Sequence, residues 1–78
     1  MATVVDEYTE VIRRLLAFET SYVGTERETL GYVAGGVATF LRRCPCSRHE
    51  RMALLALADR AEGVSERCLE SPHPTGKA

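Results

Sequence analysis

The sequence predicts an all-α fold, an antiparallel up-down-up three-helix bundle, and three observations predict it. Apolar residues recur at three- and four-residue spacing in three separate stretches, the repeat of one helical face. Helix-start signals precede each stretch, and Gly24 and Pro45 divide the chain between them. No period-two run of the kind a strand requires occurs anywhere, nor any internal repeat. The expected helices cover about residues 4–23, 26–43 and 48–70. Residues 1–70 then form one helical domain and residues 71–78 a flexible tail.

Helix 1 carries Val4, Tyr8, Val11, Leu15, Phe18 and Tyr22 at 4-3-4-3-4 spacing. Val5, Ile12, Leu16 and Val23 widen that stripe to the width of a helix buried against two neighbours. Thr3 with Asp6 is a weaker relative of the capping box, and Gly24 supplies a left-handed stop. The heptad seam reads first as core and second as a surface pairing two chains.

Thr25-Glu26-Arg27-Glu28 is a full capping box opening helix 2. Leu30, Val33, Ala34, Val37, Phe40 and Leu41 form its expected core face. The short Gly24-Thr25 link predicts that helices 1 and 2 form an antiparallel hairpin. Arg42 and Arg43 suit the negative end of the helix dipole, and Pro45 stops the helix at Cys44. Ser47-Arg48-His49-Glu50 is a second full capping box. Helix 3 follows with Leu54, Leu57, Ala58, Ala61, Val64, Cys68 and Leu69 in a register that passes through Gly63 without a slip.

Composition limits what such a bundle can do. Seventy-eight residues are near the lower limit for a self-supporting core, so a metal, a disulfide or a second copy is a common supplement. A formal charge of −1 removes the broad electrostatic drive towards nucleic acid or anionic membrane. The longest apolar run, Met52–Ala58, is too short to span a bilayer. The residues from Met1 to Glu7 lack the pattern of a signal peptide, and three cysteines do not make a secreted disulfide framework. A cytoplasmic location is expected. Nine Arg against one Lys, with no Asn or Gln, is the bias of a GC-rich genome such as that of a high-GC bacterium or its phage.

The stretch R-R-C-P-C-S-R-H-E-R, residues 42–51, concentrates the chemistry. It reads first as the elbow between helices 2 and 3. Cys44, Cys46 and His49 give C-x-C-x2-H, three zinc ligands where a structural site needs four. Cys68, His73 or a second chain would have to supply the fourth. Cys68 lies on the apolar stripe about 32 Å from Ser47 along a continuous helix, where a thiol behaves as a small hydrophobe. Cys46, beside a helix start and several arginines, is the more nucleophilic thiol. Arg42, Arg43, Arg48 and Arg51 make the elbow a candidate anion site, because a helix N-terminus already favours an anion.

The back of helix 2 gives a second candidate. With the core face as above, Tyr32, Gly35, Gly36 and Thr39 turn outwards, and mid-helix glycines weaken a helix without local return. This reads as a partner-docking face or as the crossing point of a tight bundle. No buried acid–base pair, phosphate loop or nucleophile elbow appears, so no enzyme and no required cofactor are expected. The sequence therefore favours a small protein-interaction or regulatory module acting through helix faces, with another protein or itself as partner in a homo-oligomer. A nucleic-acid-binding regulator with an Arg-rich, zinc-braced elbow ranks second, and a thiol or metal switch third. No membrane partner is expected.

Overall fold

A computed structural model describes residues 3–70, and the tail 71–78, with His73, lies outside the described residues. Three helices follow in chain order: α1, Val4–Ser21; α2, Gly24–Arg43; and α3, Arg48–Leu69. No strand occurs among the described residues.

The caps explain the boundaries. At α1 the Thr3 hydroxyl accepts from the Asp6 N–H, and the Thr3 N–H donates back to the Asp6 carboxylate, so the weaker box closes completely. Ser47 and Glu50 form the same reciprocal pair at α3. The predicted Thr25–Glu28 box does not form. Val23, in extended conformation, is the N-cap of α2 and makes no side-chain cap bond. Gly24 takes φ +61°, the left-handed backbone expected of it, but there it opens α2 instead of closing α1. Helix α1 accordingly ends at Ser21, two residues before the expected limit. Helix α3 is continuous through Gly63.

Contacts at both ends fix the up-down-up order. Gly31 of α2 faces Cys68 and Leu69 of α3, Gly35 faces Ser65, and Arg42 reaches Asp59, an antiparallel register sustained along both helices. Tyr8 near the start of α1 stacks on Phe40 near the end of α2, with ring centroids 5.5 Å apart. At the other end Arg27 of α2 donates to the Glu19 carbonyl of α1 at 2.7 Å. Helix α1 runs parallel to α3: Val5 shares a cleft with His49, and Glu19 pairs with Arg67.

The closest pair is α2 with α3, and α1 packs more on α3 than on α2. The expected α1–α2 hairpin therefore has the right direction but is the loosest of the three contacts. Side-chain size is the cause. Small buried residues line both helices of this pair, Gly31, Ala34 and Ala38 on α2 and Ala58 and Ala61 on α3, so the two backbones approach closely. That fit turns α2 on its axis relative to the expected core face. Ala38 is buried, whereas Val33 and Phe40 are 51% and 49% exposed. The large side chains completing the core are Ile12, Leu15, Leu30, Leu41, Leu54, Leu57 and Val64.

Candidate functional site

The elbow residues stay apart as a chemical cluster. Cys44 is buried and its thiol points at the Pro45 carbonyl, 3.8 Å away. Cys46 is half-buried against the edge of the core. His49 lies on the other side of the N-terminal turn of α3, lining a small cleft with Thr3, Val5, Glu50 and Ala53. Cys68 is buried at the far end of α3, beside Gly31. Among the described residues no three His, Cys, Asp or Glu side chains are placed to share a metal ion.

The four elbow arginines do not converge either. Arg42 pairs with Asp59 at 3.1 Å and with Glu62, which ties α2 to α3. These two carboxylates raise the Arg42 pKa further above its ordinary value, so the head group is held as a cation. Arg51 donates to the Arg42 carbonyl at 3.3 Å, closing the C-terminal turn of α2 from the neighbouring helix. Arg43 and Arg48 point outwards, with no ion pair among the described residues. The helix-start cations on α3 thus have a structural use in Arg51.

The glycine face divides in two. Tyr32 is 71% exposed, and Gly36 and Thr39 are exposed with it. Gly35 is not: a Cβ there would lie 3.1 Å from the Ser65 hydroxyl of α3, so Gly35 joins Gly31 at the helix crossing. The Thr39 hydroxyl donates to the Gly35 carbonyl at 3.1 Å, a bond within the helix. Around Gly36 there is open space, and no neighbour among the described residues requires a glycine.

The turn of α2 opens a groove of about 410 Å³ between α1 and α2. Leu15 and Leu30 form its floor. Phe18 and Tyr22, stacked with centroids 5.0 Å apart and planes 7° from parallel, form the α1 wall. Val33 and Thr29 form the α2 wall, and Thr25 and Glu26 close one end. Beyond Val33 the α2 wall continues to Gly36 and Phe40 at helical spacing, both exposed. The groove is thus a largely apolar furrow over two half-buried helices, the shape that accepts the apolar face of another helix.

The periodicity of α2 predicts Val33 and Phe40 in the core and assigns no site to Glu26 and Thr29, whereas all four are exposed. The available signal was the competition between two faces of α2, one of small residues and one of large, for the same neighbour.

A polar tie closes the groove end of the bundle. Arg67 of α3 grips Glu19 of α1 through two bonds, Nε to Oε2 at 2.5 Å and Nη2 to Oε1 at 2.9 Å. Arg27 of α2 adds a 3.8 Å approach to the same carboxylate. The Arg67 bonds hold Glu19 below the usual carboxylate pKa, against the opposing effect of burial. Every strong charge here has its partner inside the fold, as a structural clamp requires. No helix among the described residues is long and apolar enough to cross a membrane. Comparison with family models, curated proteins and solved structures found no match to this chain.

Proposed function

We propose that this chain is a non-enzymatic protein-interaction module of the cytoplasm whose α1–α2 groove receives the apolar face of a partner helix, from another protein or from a second copy. The supporting observation is the exposure of Phe18 and Val33 along one furrow while, among the described residues, the core holds four large, fully buried side chains, Ile12, Leu41, Leu54 and Val64. Apolar surface gathered in this way marks an interaction site, whereas scattered exposed residues do not. The aromatic side chains that line it, Phe18 and Tyr22, are also of the kind enriched at interfaces. The nucleic-acid reading has weaker support, because Arg42 and Arg51 are engaged within the fold.

The test uses the apolar dye 1-anilinonaphthalene-8-sulfonate as a probe of the groove in dilute protein. The folded chain is expected to bind it saturably, and Val33→Glu, at an exposed position, is expected to abolish binding without lowering the melting temperature. Absence of saturable binding, or binding unaffected by Val33→Glu, would contradict the groove as the site.

A further inference from the structure

The outward edge of α2 is arranged as a sequence that pairs with itself in reverse. Its exposed residues Glu26, Thr29, Val33, Gly36, Phe40 and Arg43 follow one another at 3-4-3-4-3 spacing, a heptad seam on one helix face. Against an antiparallel copy, matched about a point midway between Val33 and Gly36, three pairings result. Val33 meets the Gly36 of the second copy, Phe40 meets its Thr29, and Glu26 meets its Arg43, each of them twice.

All three pairings are complementary. The larger side chain, Val33 or Phe40, meets the smaller, Gly36 or Thr29, as interdigitating helices require. The ends of the seam carry opposite charge. Glu26 and Arg43 are seventeen residues apart on one helix, about 25 Å at 1.5 Å per residue, so they cannot pair within a chain. Reversal of the second copy brings each onto the other, and a two-fold contact of this kind is self-complementary by construction. Gly36 supplies the independent observation. A mid-helix glycine weakens the helix, its surroundings among the described residues are open, and its backbone is ordinary helix, so the described fold makes no use of it. A close-approaching second helix does.

Resting on the groove as the interaction site, we infer that its occupant is the α2 helix of a second copy of this chain, packed antiparallel with Val33 of each copy against Gly36 of the other. The chain then works as a two-fold dimer in which each α2 lies beside the Phe18–Tyr22 wall of its partner copy.

Sedimentation equilibrium over a hundred-fold range of concentration tests this with charge reversals at the exposed ends of the seam. The full chain is expected to sediment as a reversible dimer. Glu26→Arg alone and Arg43→Glu alone should each weaken dimerisation about 10-fold or more, because like charges then face each other twice. The double variant should recover dimerisation to near the original value. Monomer at every concentration would overturn the second copy as occupant. A dimer indifferent to both reversals and to Val33→Glu would overturn this face and register. Dye binding by the dilute chain separates the two proposals: a monomer that binds the dye keeps the groove and loses only the self-pairing.

Discussion

Glu19 shows how one residue can tie three helices together. It lies on the apolar side of α1, four residues after Leu15, and its side chain is only 12% exposed. Burial there is tolerated because Arg67 supplies two charge-assisted bonds and Arg27 binds the carbonyl of the same residue. One residue of α1 thereby joins α2 and α3 at the same end of the bundle. Because the folded-state pKa of Glu19 is lowered from 4.5, its ionised form stabilises the fold. That contribution is complete above the unfolded value and is lost as pH falls through the folded one. Urea unfolding from pH 6 down to pH 3 should therefore show stability declining below about pH 4.5, with a smaller decline in Glu19→Gln. At pH 7, Glu19→Gln should lower stability by about 1–2 kcal/mol, discounted because the Arg67 partner is half exposed. An unchanged pH profile in Glu19→Gln would remove the clamp from this account.

At the scale of the helix, two glycines of α2 make opposite predictions. A Cβ at Gly31 would stand 2.6 Å from Cγ of Leu69 and 3.0 Å from Cβ of Cys68, so Gly31→Ala forces α2 and α3 apart. A loss of about 1–3 kcal/mol is expected, after the helix-propensity gain. Gly36→Ala meets nothing and should stabilise the isolated chain by about 0.5–1 kcal/mol. Thermal or urea unfolding of both variants at low protein concentration decides the matter, and equal effects would contradict the division of the glycine face.

This division also marks what the sequence could reveal. Helix number and order follow from periodicity and from the caps at Thr3 and Ser47, whereas the continuity of α3 through Gly63 is a finding of the structure. The facing of α2 does not. Its Leu30–Val33–Val37 edge and its Gly31–Ala34–Ala38 edge lie side by side, and hydrophobicity alone favours the first. Close backbone approach favours the second, and only the partner helix, with Ala58, Ala61 and Ser65 in matching places, decides between them. The same decision sends Val33 and Phe40 outwards, so the candidate site was not legible before the packing was. The unformed Thr25 box has a related cause, because the left-handed Gly24 starts the helix ahead of it.

For the whole molecule, a thin core and an apolar furrow are two aspects of one economy of size. A chain of this length buries too little apolar surface to be strongly stable alone, and a second copy is a common supplement. A dimer that buries the furrow should melt at a temperature that rises with protein concentration, since association stabilises the folded state by mass action. A melting temperature constant over a hundred-fold concentration range would oppose it. The most direct measurement is an isotope-filtered nuclear Overhauser spectrum of an equal mixture of labelled and unlabelled chains, which detects contacts between copies only. The predicted result is cross-peaks from the Val33 methyls to the Gly36 α-protons and from the Phe40 ring to the Thr29 methyl. Cross-peaks joining Val33 to Val33, or no contact between copies at α2 in a sample that sediments as a dimer, would contradict the antiparallel seam.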